Sequence, residues 1–190
     1  MAFADVVFLP EAPAHYPEIE DINAEAFGPG RFAKAAYRIR EGGPHERALS
    51  FVALHKGRVI ASVRLSRIIA GEGSGLLLGP LAVRPAYKNQ GIGRKLLRIA
   101  LQAAREVGAG VVVLVGDEPY YGPFGFKPIP SGQLAMPRPV DPGRLLAAEL
   151  KKGALAELQG MVVHEAMSRR GPATPLASPP PMEKLLKQVG

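Results

Sequence analysis

Residues 81–97 read LAVRPAYKNQGIGRKLL and join an apolar, strand-like run to a helical pattern of apolar residues. The run ends at Val83, and two glycines, Gly91 and Gly93, stand between it and the helical pattern. The first amides of a helix have no acceptor within it, and glycines leave the backbone open to close approach by a ligand. Residues 84–105 also contain six basic side chains and no acid. The segment therefore predicts a loop that binds an anion such as a pyrophosphate.

Two common phosphate-binding motifs do not fit this segment. A P-loop needs a lysine followed by serine or threonine, and a dinucleotide fingerprint needs a third glycine where Leu96 stands. One alternative stays open from the residues alone, namely that the glycines only shape a tight turn and the basic residues form a solvated helix face. The position of the loop between a strand and a helix favours anion binding.

The rest of the chain predicts alternating strands and helices. Strands are expected at residues 6–9, 51–54, 59–69, 76–83, 111–115 and 160–163, and helices around 19–26, 31–40 and 96–104. Polar and apolar residues alternate over 62–66, which is typical of an antiparallel strand with one wet face. Gly79 and Pro80 interrupt one strand, and because proline has no amide hydrogen, a bulge or bend is expected there. Residues 120–129 indicate an aromatic loop that leads into a short strand.

Composition limits the class of protein. The chain has 190 residues, 24 Lys and Arg against 17 Asp and Glu, and no cysteine. The lack of cysteine excludes disulfides, thiolate zinc sites and a cysteine acyl-enzyme, and it agrees with a reducing cytoplasm. No apolar run approaches the roughly 18 residues of a membrane helix, and the amino end lacks the pattern of a signal peptide. We expect a cytoplasmic protein, and its net charge of +7 favours anionic ligands.

The domain organisation is expected to be simple. Residues 1–170 are predicted to form one domain with a single core. Five prolines fall within residues 171–190, which predicts a mostly disordered tail. The alternative for part of this tail is a short helix over residues 182–189 that contacts an unspecified surface.

On two motifs the chain resembles the GNAT superfamily of acetyl-CoA-dependent N-acetyltransferases. The family's strand-and-loop signature is matched over residues 81–93, although Lys88 stands where the family has arginine or glutamine. Lysine keeps the positive charge and loses only the planar fork of arginine. The second motif, YYGPFGF at residues 120–126, resembles the aromatic segment that many members carry after their fifth strand. Residues 78–83 and 116–126 look most like the YhbS-like predicted acetyltransferases of this superfamily.

The resemblance implies an α/β (α+β) fold whose mixed, mostly antiparallel sheet splits into a V between its fourth and fifth strands, with flanking helices. It implies acetyl-CoA as the cosubstrate, with its pantetheine arm in the split, and no metal. Tyr121 matches the family's general acid, which protonates the departing CoA thiolate, and its neighbour Tyr120 is expected in the core. The residues expected to bind acetyl-CoA are Leu81, Ala82 and Val83 along the arm, and Lys88, Asn89, Gln90, Gly91, Ile92, Gly93 and Arg94 at the pyrophosphate.

The general base is not identified by the sequence. Asp117, Glu72 and Glu25 are candidates, each with a solvated surface acid as the alternative, and a chain of water molecules is a further possibility. The four histidines show no metal-ligand spacing and are expected at the surface or in loops; they are His15, His45, His55 and His164.

The expected function is transfer of an acetyl group to a primary amine, carried by a small molecule or a peptide. The chain is expected to act as a monomer or homodimer away from membranes. Two other classes stay open: a domain that binds CoA as a sensor without turnover, and a nucleic-acid-binding protein that uses its basic helices. The second is disfavoured because no nucleic-acid motif is present.

Overall fold

The computed structural model describes residues 5–168 and 175–190. Its strands are β1 (Val6–Pro10), β2 (Phe51–His55), β3 (Arg58–Gly71), β4 (Gly73–Val83), β5 (Val111–Val115), β6 (Lys127–Pro128), β7 (Leu134–Ala135), β8 (Leu145–Glu149) and β9 (Leu158–His164). Its helices are α1 (Tyr16–Phe27), α2 (Ala35–Arg40), α3 (Ile92–Glu106), α4 (Glu118–Tyr121), α5 (Ala154–Glu157) and α6 (Met182–Gln188). The main sheet runs in the order β1-β2-β3-β4-β5-β8-β6, and β9 pairs with β3 and β7.

The sheet is mixed and opens between β4 and β5, as predicted. These two strands run parallel, and among the described residues they pair only at Leu76 with Val112 and at Leu77 with Val113. Beyond this point β4 continues to Val83 and stays paired with β3 alone, in antiparallel fashion. Pro80 lies in this stretch and has no amide hydrogen to donate to a neighbouring strand. The register between β3 and β4 also shifts here, so the expected bulge is present.

Helices cover both faces of the sheet. Neighbouring residues of a strand point to opposite faces, so they pack against different helices. Phe51 belongs to a core cluster with residues of α3, whereas the next residue, Val52, packs with Ile19 and Ile22 of α1. The central strand β5 is buried on both faces over residues 111–114, as its continuous apolar run predicts. This arrangement fixes α3, and the loop before it, against the open end of β4.

Three local predictions need correction. The helix expected over residues 31–40 is divided into a 3-10 turn at Pro29–Ala33 and the helix α2, because Lys34 between them is extended. Within residues 120–129, Tyr120 and Tyr121 are helical in α4 rather than in a loop. The strands β7 and β8 were not predicted, since the apolar and alanine residues of β8 give no two-residue alternation.

The carboxyl-terminal segment packs on the rest of the chain. Leu185 of α6 is buried in the core cluster that includes α3. Lys184 and Gln188 bond to Glu106 at the end of α3, and Lys95 donates to the Val189 carbonyl at 3.0 Å. Over residues 182–188 the structure therefore has the helix that the sequence allowed as the alternative, and disorder is wrong there. Residues 171–174 of the predicted tail lie outside the described residues.

No helix in the described part of the chain has the length and apolarity needed to cross a membrane.

Candidate active site

The glycine-rich loop turns tightly between β4 and α3. A short 3-10 turn at Pro85–Tyr87 leads to Asn89 and Gly91, whose φ angles of 60° and 81° are left-handed. Gly91 is the residue before the first turn of α3, where the free amides of the helix lie. Glycine adopts this conformation without strain, whereas most other residues do not. The sequence thus places helix amides beside the open end of β4.

A first cavity of about 570 Å³ lies at this loop. All the residues predicted to bind acetyl-CoA line it except Gln90, whose side chain donates to the Ala86 carbonyl at 3.1 Å. Lys88 and Arg94 are exposed and contribute the positive charge of the lining, while Ile92 is buried. Tyr121 and Tyr120 close the cavity on the side of α4.

Tyr120 reaches the start of α3 because Gly93 has no side chain. A Cβ atom on Gly93 would lie 3.0 Å from the Tyr120 hydroxyl and 3.3 Å from Cγ2 of Val83. Burial raises the pKa of Tyr120, and the nearby Arg94 guanidinium opposes that shift. Tyr120 packs against the core as predicted, and it also lines the first cavity, which the sequence did not indicate.

A buried histidine contacts Tyr87 in the loop before α3. His55, at the end of β2, is 6% exposed, and its Nδ1 lies 2.9 Å from the Tyr87 hydroxyl. Tyr87 in turn lines the first cavity. His164 is also buried, with its ring nitrogens at 3.0 Å from the Pro44 carbonyl oxygen and the Ala166 amide. The expectation that these two histidines lie at the surface or in loops is therefore wrong: each ends a strand and is buried, with polar partners for its ring.

A second cavity of about 660 Å³ meets the first at three residues. Both cavities are lined by Phe27, Leu81 and Tyr121. The Tyr121 ring occupies the space beside Gly116, where a Cβ atom would overlap it. Burial raises the pKa of Tyr121 to about 12, with Tyr120 and Asp117 acting in the same direction and Arg144 opposing them. This phenol therefore stays protonated at neutral pH.

The second cavity contains a buried charge cluster that the sequence did not reveal. Glu11 has no exposed side-chain surface, and it accepts from Arg64 at 2.9 Å and lies 2.7 Å from His45 Nε2. Burial raises the pKa of Glu11, but the bonds with His45 and Arg64 outweigh burial and hold that pKa below its usual range. His45 and Arg64 line the cavity. The three residues are far apart in sequence, so only the fold brings them together.

Of the three acids named as candidate bases, the structure brings one to this cavity. Asp117 is part of the lining, exposed at its rim, and paired with Arg144 at 3.0 Å. Glu25 is not among the lining residues and pairs with Arg84 at 3.4 Å. Glu72 lies in the turn between β3 and β4, at the far end of β4 from Leu81. His45 is a further lining residue with a basic nitrogen.

Within residues 5–168 and 175–190, no group of three or more His, Asp or Glu side chains is arranged to hold a metal ion.

The stretch of chain that forms the split sheet, the start of α3 and the aromatic segment after β5 also matches a family model. The model of the acetyltransferase (GNAT) family matches residues 16–126, so the chain belongs to that family. Among curated proteins it is similar to the uncharacterized N-acetyltransferase YhbS of Escherichia coli strain K12, with 31% identity over 84% of this chain and 96% of that protein. It is also similar to the uncharacterized N-acetyltransferase YjhQ of the same strain, with 30% identity over 64% of this chain and 69% of that protein.

Two solved structures extend this likeness. The crystal structure of Escherichia coli YhbS in complex with CoA matches with a TM-score of 0.71 and 28% identity, over 89% of this chain and 95% of that one. A GNAT family acetyltransferase from Brucella melitensis in complex with acetyl-CoA matches with a TM-score of 0.54 and 30% identity, over 76% of this chain and 96% of that one.

Proposed function

We propose that this protein transfers an acetyl group from acetyl-CoA directly to a primary amine, with both molecules bound at the same time. The observation that carries the proposal is that Tyr121 and Leu81 line both cavities. A group bound in the first cavity can therefore react with a group bound in the second. Family membership and the CoA or acetyl-CoA held by two similar structures support the identity of the first ligand.

The first cavity fits acetyl-CoA in its chemistry. The amides at the start of α3, with Gly91 before them, suit a pyrophosphate, and Lys88 and Arg94 add positive charge. Beyond Leu77 the β5-facing edge of β4 is unpaired among the described residues, so it suits the two amides of a pantetheine arm. A backbone amide near Ala82 or Val83 would polarise the thioester carbonyl.

In the proposed reaction the amine nitrogen forms a bond to the carbonyl carbon, the carbon–sulfur bond breaks, and Tyr121 gives its proton to the sulfur. The pKa of about 12 keeps the phenol protonated for this role. Burial disfavours a thiolate beside Tyr121 as well as the phenolate. The free energy of proton transfer from Tyr121 to the sulfur therefore lies closer to zero than the raised pKa of Tyr121 alone would indicate.

The amine must lose a proton before it attacks. For a lysine-type amine with a pKa near 10.4, deprotonation at neutral pH costs about 4 kcal/mol. Asp117 and His45 line the second cavity and are the proposed acceptors of that proton, directly or through water.

The test is the Tyr121→Phe variant, measured by CoA release with a panel of amines and by calorimetry with acetyl-CoA. We expect turnover to fall by about a hundredfold, a typical loss for a general acid, while acetyl-CoA affinity is unchanged. Tyr16→Phe is the matched control, because Tyr16 lines neither cavity, and its turnover should stay near that of the wild type. Full turnover in Tyr121→Phe would reject the general-acid role.

The same measurements separate the other two classes. A sensor domain would bind acetyl-CoA and release no CoA with any amine. A nucleic-acid-binding protein would bind random-sequence DNA with an affinity that falls steeply as salt is raised.

A further inference from the structure

The second cavity is lined by an arginine, Arg40, whose charge is not paired with a carboxylate of any described residue. Arg40 is the last residue of α2 and lines this cavity. Its Nη1 lies 3.5 Å from the position of a Cβ atom built on Gly79. Gly79 is two residues before Leu81, and a strand rises about 3.3 Å per residue, so the guanidinium lies within about 10 Å of Leu81, one of the residues that both cavities share.

The Arg40 side chain makes no ion pair or hydrogen bond with any residue in the part of the chain that the structure describes. Its guanidinium carbon lies 5.8 Å from the centre of the Tyr37 ring. Burial lowers the pKa of Arg40 to about 10, Arg64 acts in the same direction, and Tyr37 opposes them. The side chain is still a cation at neutral pH, and it bears a desolvation cost that no carboxylate within residues 5–168 and 175–190 offsets.

The other charged groups of this cavity are mostly compensated. Arg64 is paired with Glu11 and Glu20, and Arg144 is paired with Asp117. Glu41 is an acid of the lining, but it is paired with Arg38 outside the cavity at 2.9 Å. Asp141, the remaining acid of the lining, accepts from the Gly143 amide at 2.8 Å. The lining thus has five Lys and Arg side chains against four Asp and Glu, and the half-buried Arg40 is one of the cations without a carboxylate partner among the described residues.

Two further cations of the lining also lack a carboxylate partner among the described residues. Arg31 donates to the Gly28 carbonyl at 2.9 Å, and Lys34 lies over the Phe27 ring at 5.0 Å. Both belong to the segment before and at the start of α2. They extend the positive potential of the cavity, which attracts an anionic ligand.

We propose that the acceptor is an amine that also carries a carboxylate, and that Arg40 binds this carboxylate. The planar guanidinium offers two parallel donors that match the two oxygens of a carboxylate. With the carboxylate at Arg40 and the amine beside Leu81, the two groups lie within about 10 Å of each other, so amino acids of different chain lengths are tested. The proposal rests on the proposed function, because it names the substrate class of the same site.

The experiment compares each of three acids, glycine, β-alanine and 4-aminobutyrate, with its amide. The amide keeps the amine and removes the negative charge. CoA release gives kcat/KM for each pair, and calorimetry gives the affinity of the N-acetylated acid and the N-acetylated amide for the CoA-saturated protein. The calorimetric measurement requires no turnover.

The wild type should prefer the best acid over its amide by about tenfold or more in both measurements, as expected for hydrogen bonds to a buried charge. Arg40→Gln should lose this preference, and Arg40→Lys, which keeps the charge without the fork, should retain part of it. Arg105→Gln is the matched control, since Arg105 lies in the last turn of α3 and lines neither cavity. It should keep the full preference. A thermal unfolding curve of each variant verifies that it is folded.

The two proposals fail in different ways. If no amine releases CoA but the N-acetylated acids still bind better than their amides, direct transfer is wrong and the carboxylate site stands. If acids and amides behave alike in both measurements, including no binding of either, the carboxylate site is wrong. The same conclusion follows if Arg40→Gln keeps the wild-type preference.

Discussion

Glu11 illustrates how a single side chain can organise a cavity from a distance in sequence. It follows β1 directly, and its carboxylate holds both Arg64 and His45. Because Arg64 is 13% exposed, its charge needs the carboxylate to balance desolvation. The residue therefore links the amino-terminal strand to the lining of the second cavity.

The lowered pKa of Glu11 gives a pH-dependent contribution to stability. A carboxyl whose folded-state pKa is below its unfolded value of about 4.3 stabilises the fold above that value, and the contribution is lost as pH falls through the folded-state pKa. We expect Glu11→Gln to lower the free energy of unfolding by about 3 kcal/mol at pH 7. In urea unfolding series, the difference in the free energy of unfolding between wild type and variant should decrease from pH 5 to pH 3.

The control for this prediction is Glu41→Gln. Glu41 pairs with Arg38 on the surface, with 45% and 44% of the two side chains exposed. Such a pair contributes less than about 1 kcal/mol, so the control should change little at any pH. If the difference in the free energy of unfolding between wild type and Glu11→Gln stays constant from pH 7 to pH 3, the lowered pKa of Glu11 does not contribute to stability.

At the scale of elements, the loop before α3 depends on a left-handed residue at the helix start. Gly91 has φ 81° and ψ −1°, and Gly153, before α5, has nearly the same conformation with φ 90° and ψ −14°. An alanine at either position would therefore have similar backbone strain, although the surroundings of the two positions differ. Only Gly91 belongs to the first cavity.

Replacing each glycine with alanine separates backbone strain from ligand contact. Both Gly91→Ala and Gly153→Ala should lower the free energy of unfolding by about 1 kcal/mol, the cost of a left-handed alanine. Acetyl-CoA affinity, measured by calorimetry, should fall only in Gly91→Ala. Equal affinity in the two variants would show that the loop does not approach the ligand closely.

The elements differ in how far the sequence could predict them. The loop and its flanking strand and helix were predictable because glycine, proline and apolar periodicity are local signals. The strand β8 was not, since LLAAE fits a helix as well as a strand until β5 is there to pair with it. The Arg40 environment and the Glu11 cluster depend on contacts between distant segments, which no local pattern encodes.

At the scale of the whole molecule, α6 closes the core over α3. Leu185 is 1% exposed and is the buried residue of this helix. Its contacts are long-range, and the prolines before it gave the opposite signal in the sequence. The predicted boundary at residue 170 therefore does not mark the end of the packed structure.

Removal of this contact should lower stability. Leu185→Ala deletes buried methyl groups and leaves a cavity, so we expect a loss of about 3 kcal/mol in urea unfolding. Ending the chain at residue 170 should lower the melting temperature as well. Lys187→Ala is the control on the same helix, because Lys187 is 75% exposed and its loss should cost less than about 0.5 kcal/mol. A Leu185→Ala variant as stable as this control would show that α6 adds nothing to the core.

The two cavities meet at only three residues, and this has a consequence for how such a molecule can diversify. Residues 20–45 supply about half of the lining of the second cavity, and β3, β4, residues 115–121 and residues 139–144 supply the rest. Of the lining residues within 20–45, Phe27 is the one that also lines the first cavity. Under the proposed function, side chains of residues 20–45 can therefore change with the acceptor, while the residues that line only the first cavity stay constant and keep binding the same donor.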